Sequence, residues 1–325
     1  MLFRSIDTSL NLFEKSSGLN TSNNNLESSN TLSEIMVNIL EKLEGKPEDK
    51  IKTNLKVIDK HTNGIGKKEL VAIGAGSGVG KSAIALKIAI EAYKQGKKVY
   101  IISREMSKEQ VAERIIFSNT GIKKQKYENR DFDDNDWKHI IESMELYSTD
   151  RIIIDDTTAT IQGIKRAVKM YKPDLLIVDY VQLLTPTSKN NSREREVAEF
   201  SRELKNITLD FEMSVIQLTQ LSDKGRGNTR PKGESYTRES RGIYHDSNIV
   251  IYIHQVTEES ELEKAYRRTI FNDRCSFEDM KTTVQNYEGQ GVKFVEVIVD
   301  KNRNGSVGSN FYWFKGEDLS YYPVI

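Results

Sequence analysis

The chain has 325 residues, of which 37% are hydrophobic, and this is enough for one large α/β domain with a short appendage. Lysine plus arginine and aspartate plus glutamate both count 48, so the net charge is zero. This balance argues against a uniformly basic protein that coats nucleic acid. Any site for a polyanion must therefore be a local cluster of basic residues.

The cysteine count and the hydrophobic pattern indicate which cellular environment to expect for the protein. Cys275 is the single cysteine, so an intramolecular disulfide is excluded, and the four scattered histidines lack a zinc-binding spacing. The sequence contains no apolar run of the roughly 18 residues that suggest a transmembrane helix, and its start lacks the apolar core of a signal peptide. We therefore expect a reducing, cytoplasmic setting and no membrane.

Two predicted units precede the main domain. Residues 1–30 are rich in serine and asparagine, a composition that predicts a disordered arm. A capping box at residues 31–34 then predicts an amphipathic linker helix over residues 31–46. Its apolar face consists of Leu32, Ile35, Met36, Ile39, Leu40 and Leu43. This face packs either on its own domain or on a neighbouring subunit, and the sequence leaves both open.

Residues 47–325 are the third predicted unit, in which strand-like and helix-like segments alternate after Gly66. The predicted strands are 69–73, 98–103, 151–155, 175–179, 214–219, 248–254 and 292–299. The predicted helices lie near 82–95, 107–119, 134–147, 160–171 and 192–209. Such alternation predicts an α/β fold with a mostly parallel sheet and helices on both faces. The charged span 256–288 is predicted to be an irregular surface insertion.

A glycine-rich segment, Ile73 to Ser82, stands between a predicted strand and a predicted helix. Its glycines let backbone N–H groups surround the phosphates of ATP, Lys81 reaches the β- and γ-phosphates, and the Ser82 hydroxyl ligates Mg²⁺. Ala75 stands where the first glycine is usual, as in some RecA-like ATPases. The predicted nucleotide contacts are Gly76, Ser77, Gly78, Val79, Gly80, Lys81 and Ser82. A glycine-rich surface turn is the alternative.

A second motif supplies the other half of such a site. The apolar run 175–178 ends in Asp179, a carboxylate that would hold Mg²⁺, usually through water. Tyr180 follows, so the base that orients the attacking water must come from elsewhere. Glu105 is the best candidate, because it follows the predicted strand 98–103 at the carboxyl edge of the sheet. Alternatively, Glu105 stabilises the N-terminus of the following helix.

Five ordered segments resemble the DnaB-type hexameric replicative helicases. They are Ser103–Ser107 with Gln110, Ile177–Leu183, Gln217–Leu221, Arg238–Ser240 and Lys301–Gly305. The resemblance covers about residues 32–316, which comprise the linker helix and a RecA-like motor domain. In place of the globular N-terminal domain of that family, which binds primase, this chain is expected to have only the arm. The sequence leaves any primase or loader partner unidentified.

The resemblance implies a role for each matched site residue. Glu105 would be the catalytic base and Asp179 the metal carboxylate, while Gln220 would sense the γ-phosphate. Lys301 and Arg303 would reach the nucleotide of the next subunit, with Arg303 as arginine finger. A planar guanidinium suits this role because it stabilises charge on the transferred phosphoryl group. Lys301 and Arg303 are also typical of a basic hairpin, and both interpretations can hold together.

A DNA-contacting stretch is predicted over residues 222–241, which hold six basic side chains, three acidic side chains and three glycines. The candidate contacts are Lys224, Arg226, Arg230, Arg238, Glu239 and Arg241. In the family, the matched Arg-Glu-Ser segment grips single-stranded DNA phosphates. Arg241 replaces the glycine that usually follows, and it either adds a phosphate contact or hinders close backbone approach. A solvated loop without a ligand is the alternative.

Together these features predict the ATPase motor of a ring-shaped, hexameric helicase that hydrolyses ATP with Mg²⁺ and translocates on single-stranded DNA. Two rivals remain open. A RecA-like recombinase or filament-forming ATPase shares the core but would lack the segments at 238–240 and 301–305. A non-motor protein that binds ATP within the assembly of another helicase is the second rival.

Overall fold

The computed structural model describes residues 32, 35, 36, 39, 48–186, 192–221, 230–234 and 241–324. It divides into two units, Met1–Asp49 and Lys50–Ile325. In the first unit the described apolar residues are helical and exposed, namely Leu32, Ile35, Met36 and Ile39. The arm predicted over 1–30 and the remaining positions of the linker helix lie outside the described residues.

The described part of the second unit is built on a nine-stranded sheet. The strands are β1 (Leu70–Ala75), β2 (Val99–Ser103), β3 (Ile152–Asp155), β4 (Leu175–Asp179), β5 (Ser214–Gln220), β6 (Ile249–Gln255), β7 (Val292–Asn302), β8 (Gly308–Lys315) and β9 (Ser320–Pro323). Their order in space is β3-β2-β4-β5-β1-β6-β7-β8-β9. Strands β1 to β6 pair in parallel, and β7, β8 and β9 extend the sheet with antiparallel pairs.

Helices cover both faces of the sheet. They are α1 (Lys56–Thr62), α2 (Lys81–Lys94), α3 (Lys108–Phe117), α4 (Lys124–Asn129), α5 (Asp134–Tyr147), α6 (Ile161–Tyr171), α7 (Arg193–Asp210), α8 (Arg241–Asp246), α9 (Glu259–Arg268), α10 (Phe271–Arg274) and α11 (Phe277–Gly289). The side chains of β1 alternate between two cores, with Val71 and Ile73 in one and Leu70 and Ala72 in the other. A central strand buried on both faces explains why its sequence is continuously apolar. The predicted fold class is confirmed.

The predicted strands and helices all have counterparts, but one predicted segment is wrong. The span 256–288 is not irregular, because α9, α10 and α11 occupy most of it. Their inward apolar side chains form a small core of their own with β7 and β8, which includes Leu262, Ala265, Met280, Val284 and Phe294. Charged residues on the outer faces of these short helices hide the periodicity. Helices α1, α4 and α8 and strands β8 and β9 were not predicted.

Two further observations complete the fold. Helix α3 begins at a capping box in which Ser107 and Gln110 exchange side-chain and backbone hydrogen bonds, and this fixes the chain just after β2. Across the described residues, every helix is too short or too polar to traverse a bilayer.

Candidate ATP-binding site

The phosphate loop connects β1 to α2 at the carboxyl edge of the parallel strands. Gly78 and Gly80 have left-handed φ values of +71° and +109°. A Cβ atom on Gly80 would lie 2.7 Å from the Phe314 ring, and the Tyr321 hydroxyl donates a hydrogen bond of 3.1 Å to the Gly80 carbonyl. Glycine is therefore required at position 80 both by conformation and by close packing.

Lys81 stands between two carboxylates at the first turn of α2. Its Nζ atom lies 3.7 Å from Glu105 Oε2 and 3.7 Å from Asp179 Oδ1, and its side chain is only 10% exposed. The same Nζ lies 4.0 Å from the centre of the Tyr180 ring. Burial lowers the pKa of Lys81, while the two carboxylates oppose that shift. The structure thus brings the predicted lysine, metal carboxylate and base into one cluster.

Asp179 ends β4, beside Ser103 at the end of β2. Burial raises the pKa of Asp179, and the opposing contributions come first from Lys81 and then from the Ser82 hydroxyl. Among the described residues, Asp179 Oδ1 is buried without a hydrogen-bond partner. A buried carboxylate oxygen that lacks a donor is costly by itself. It is suited to a hydrated divalent cation, so Ser82 and Asp179 together fit the Mg²⁺ that the phosphate loop implies.

Glu105 differs from Asp179 in its access to water. Its side chain is 52% exposed, whereas that of Asp179 is 9% exposed. The turn that carries it is fixed by Ser103, whose hydroxyl donates to the Met106 carbonyl and accepts from the Met106 N–H. Glu105 is therefore a carboxylate at the mouth of the site, held near Lys81 but open to solvent.

Gln220 ends β5 and lines the same cleft. Gln182 braces this end of the strand, since its Nε2 atom donates to Thr219 Oγ1 at 2.8 Å and to the Gln220 carbonyl at 3.4 Å. The sequence predicted a role for Gln220 but not this support from Gln182.

The cleft has a volume of about 840 Å³, and it is lined by more than the predicted residues. One wall is a face of α3 that presents Gln110, Arg114 and Phe117. Their spacing of four and three residues is that of a single helix face, so periodicity after Glu105 would have found them. The opposite wall includes Lys293 and Phe314, which come from β7 and β8. No local pattern marks these two, because only the sheet order brings them to the phosphate loop.

Lys301 and Arg303 lie at the opposite edge of the sheet, where the parallel strands begin. Lys301 Nζ donates to the carbonyls of Tyr244 and His245 at 2.5 and 3.1 Å, and Arg303 donates to the His245 carbonyl at 2.5 Å. The neighbouring Asn302 pairs with Ile249 at the start of β6, whereas the phosphate loop follows the end of β1.

Strand β7 extends along its own direction from the carboxyl edge to the opposite edge. Lys293, near its start, donates to the Gly78 carbonyl in the phosphate loop. Lys301 is eight residues further along β7, which at about 3.3 Å per residue is about 26 Å away. The structure therefore does not bring Lys301 and Arg303 to the phosphate loop of their own chain.

The predicted DNA contacts have different outcomes. Lys224, Arg226, Arg238 and Glu239 lie outside the described residues. Arg241 is exposed at the start of α8. Arg230 instead pairs with the buried Glu296, at 2.6 Å from Nε to Oε2 and 3.0 Å from Nη2 to Oε1. Because its guanidinium is already engaged in this bidentate pair, the geometry argues against Arg230 as a phosphate contact.

The fold and the cluster around Lys81 define a phosphate-loop ATPase of the RecA-like type. The profile of the family described as DnaB-like helicase C terminal domain matches residues 50–321, and the chain belongs to this family. The resemblance inferred from the five sequence segments is thereby confirmed.

Curated relatives support this assignment. The replicative DNA helicase DnaB of Helicobacter pylori (strain ATCC 700392 / 26695) is 28% identical over 290 residues, which are 83% of this chain and 59% of the relative. The replicative DNA helicase DnaC of Bacillus subtilis (strain 168) is 30% identical over 268 residues, which are 80% of this chain and 53% of the relative. The matched region is thus between about half and three fifths of the length of these relatives.

Solved structures give the same result. A structure described as an ATPase domain superposes with a TM-score of 0.72 and 26% identity, over 91% of this chain and 99% of that one. A DnaB-like replicative helicase, whose structure was described together with its interactions with primase, gives a TM-score of 0.71 and 25% identity. That match covers 98% of this chain and 71% of the helicase.

Proposed function

We propose that the chain is the ATPase motor of a replicative DNA helicase, which hydrolyses ATP at the subunit interfaces of a hexameric ring and translocates on single-stranded DNA. The observation that carries this proposal is the separation of Arg303 from the phosphate loop. An arginine finger that lies at the opposite end of the strands from its own nucleotide site can act only on the site of another copy.

Within one copy, the carboxyl edge of the sheet supplies binding and the base. Lys81 and the backbone of the phosphate loop would hold the triphosphate of ATP, and Ser82 and Asp179 would hold Mg²⁺. The cation, when bound, neutralises charge on the phosphoryl oxygens. Glu105, exposed at the mouth of the cleft, would orient a water molecule and accept its proton. Gln220, at the end of β5, would respond to the γ-phosphate.

The second copy would supply the cations of the opposite edge. Burial lowers the pKa of Lys301, and repulsion from Arg303 lowers it further. Burial also lowers the pKa of the nearby Lys205, again with repulsion from Arg303. Three cations thus lie close together at one edge, where Asp246 opposes the shift of Lys301 and Glu69 opposes that of Lys205. An anion delivered by a neighbouring copy would relieve this repulsion, and the γ-phosphate of ATP is such an anion.

The linker helix is proposed to stabilise the ring by docking on the neighbouring copy. Its described apolar residues are helical and 41% to 68% exposed. Serine at Leu32, Ile35, Met36 and Ile39 should then convert rings to monomers without lowering the melting temperature. A lower melting temperature with unchanged mass would instead show that the helix packs on its own domain.

Single-stranded DNA is the proposed track, and the stretch 222–241 is its proposed contact. A primase is a proposed partner, because a structural relative was described with its interactions with primase. Membership of the DnaB-like family argues against the recombinase alternative, but the non-motor alternative needs a direct test.

The test of the proposed function combines mass and strand displacement. Light scattering with and without ATP and Mg²⁺ should show a hexamer, and a forked duplex should be unwound only when ATP is hydrolysed. Lys81→Ala is the matched control for hydrolysis. A hexamer that hydrolyses ATP but neither moves on DNA nor unwinds it would overturn the motor proposal in favour of a non-motor partner.

A further inference from the structure

The segment 230–234 lies in the middle of the stretch 222–241 and is fastened to the protein body. Besides the Arg230–Glu296 ion pair, the Arg230 N–H donates to Glu261 Oε1 at 3.0 Å. The Gly233 N–H donates to Asp300 Oδ2 at 2.9 Å, and the Gly233 carbonyl accepts from the Tyr252 hydroxyl at 2.9 Å. A short segment is thus held by both its backbone and its side chain.

The acceptor of this attachment is a buried carboxylate. The Glu296 side chain is 3% exposed and sits on β7, where Arg268 and Ser309 also contact it. Burial by itself would raise the pKa of Glu296, and the hydrogen bonds from Arg230 and Ser309 bring it below its usual value. Glu296 therefore remains an anion, and such a buried anion requires cationic partners.

The attachment also involves the helical insertion between β6 and β7. Glu261 and Arg268 both belong to α9, and Glu261 Oε2 lies 2.6 Å from His254 Nε2 on β6. Two antiparallel neighbours are usually joined by a turn of a few residues, but β6 and β7 are joined by three helices. One face of this insertion is thus used to fasten the segment 230–234.

We propose that Arg230 is a positioning residue that fastens the middle of the DNA-contacting stretch to the sheet and to α9. The described residues 230–234 are thereby held in place on the protein body, and in sequence they lie between Arg226 and Arg238, two of the predicted phosphate contacts. This proposal rests on the proposed function only for its ligand. The attachment itself follows from the contacts of Arg230 and Gly233.

Fastening has a consequence that differs from that of a phosphate contact. It fixes residues 230–234 before DNA binds, so these residues need not be ordered on binding, and affinity is raised by preorganisation. It adds no phosphate contact, so it does not change how steeply affinity falls with salt. A true phosphate contact changes that slope by about 0.7 for each contact with a single strand.

The experiment compares Arg230→Gln with two matched controls. Lys232→Gln removes the same charge two residues away, from an exposed side chain in the same segment. Lys224→Gln removes a predicted phosphate contact. For each, hydrogen exchange of residues 230–234 is measured without DNA, and the affinity for oligothymidylate is measured over a salt series.

Arg230→Gln should speed exchange of the segment about tenfold or more and weaken oligothymidylate binding several-fold, with an unchanged salt slope. Lys224→Gln should lower the slope and leave exchange unchanged, and Lys232→Gln should also leave exchange unchanged. Arg230→Lys, which keeps the charge but not the bidentate geometry, should recover part of the protection. Arg268 and Ser309 still contact Glu296 in these variants, and a circular dichroism melt checks that the fold persists.

Two results would overturn the proposal. A lower salt slope for Arg230→Gln with unchanged exchange would make Arg230 a phosphate contact after all. Unchanged exchange and unchanged affinity would make the ion pair irrelevant to the stretch. If the wild-type protein failed to bind oligothymidylate, the proposed function would fail by itself, and the exchange data would still decide whether Arg230 fastens the segment.

Discussion

The two edges of the sheet hold charges of different character. At the carboxyl edge, Lys81 lies between Glu105 and Asp179, so opposite charges meet in a cleft of nucleotide size. At the other edge, Lys301 and Arg303 donate to backbone carbonyls and repel each other. One edge thus has nearly everything that ATP needs, whereas the other holds cations whose hydrogen bonds go to backbone carbonyls, with Asp246 and Glu69 as nearby anions. This difference is what the proposed division of the site between two copies would produce.

The largest expected effect concerns the division of the site between copies. Arg303→Ala alone should lower turnover by on the order of 10³-fold or more, and Lys81→Ala alone should be inactive. A mixture of the two variants should recover ATPase activity, because a Lys81→Ala copy still offers its Arg303 to a neighbour with an intact phosphate loop. Steady-state ATPase assays of each variant and of the mixture measure this.

The mixture needs one control. Native mass measurement must show that the two variants exchange subunits. Subunit exchange without recovered basal activity would mean that Arg303 acts on the site of its own subunit, or only shapes the turn at Asn304 and Gly305. The difference between the two edges would then have no role in catalysis.

A second prediction separates the binding of ATP from its hydrolysis at the carboxyl edge. Glu105→Gln should bind ATP and DNA normally but hydrolyse ATP about 10²- to 10⁴-fold more slowly, because the amide cannot accept a proton. Glu109→Gln, a change in the first turn of α3, is the matched control and should retain activity. Wild-type turnover of Glu105→Gln at saturating ATP would mean that another carboxylate is the base.

A third prediction concerns the stretch 222–241. Glutamine at Lys224, Arg226 and Arg238 should weaken single-stranded DNA binding for all sequences and reduce the salt slope by about two, since each phosphate contact contributes about 0.7. ATP binding without DNA should not change. An unaltered slope would indicate that DNA follows another path or is not a ligand.

The carboxyl edge was largely predictable from sequence, for a physical reason. In a parallel sheet the residues that follow buried strands converge, so Lys81, Glu105 and Asp179 can be placed together from three local patterns. The strands that carry them are apolar and β-branched, and they are separated by helices with clear starts. The same rule placed Gln220 at the end of its strand.

The opposite edge and the antiparallel strands were less predictable. The contact between Arg230 and Glu296 joins residues far apart in sequence, and nothing near Arg230 indicates that its charge is neutralised. The run 311–314 is wholly aromatic and therefore typical of a strand, yet β8 was not predicted. The position of β8 beside β7 depends on the order of strands in the sheet, which the local sequence does not indicate. Consequently Lys293 and Phe314, which reach the cleft from β7 and β8, were missed as site residues.

The smallest expected effect tests whether the antiparallel strands also serve the carboxyl edge. Lys293 Nζ donates to the Gly78 carbonyl at 2.6 Å and lines the cleft. Lys293→Gln removes one partly exposed, charge-assisted hydrogen bond worth about 1 kcal/mol. We therefore expect the KM for ATP to rise about fivefold, with kcat within about twofold of wild type.

The KM for ATP and kcat are expected to respond differently because of where Lys293 lies. Lys293 supports the loop that is proposed to hold the phosphates, but the proposed base, Glu105, is carried by the turn after β2. Loosening the loop should therefore weaken the binding of ATP without slowing its hydrolysis once bound. Lys315→Gln is the matched control, because Lys315 also lines the cleft but its Nζ lies near Glu317 and Asp318. A fall in kcat with unchanged KM for Lys293→Gln would instead show that Lys293 acts on the transition state, and catalysis at the carboxyl edge would then depend on the antiparallel strands as well as on the parallel ones.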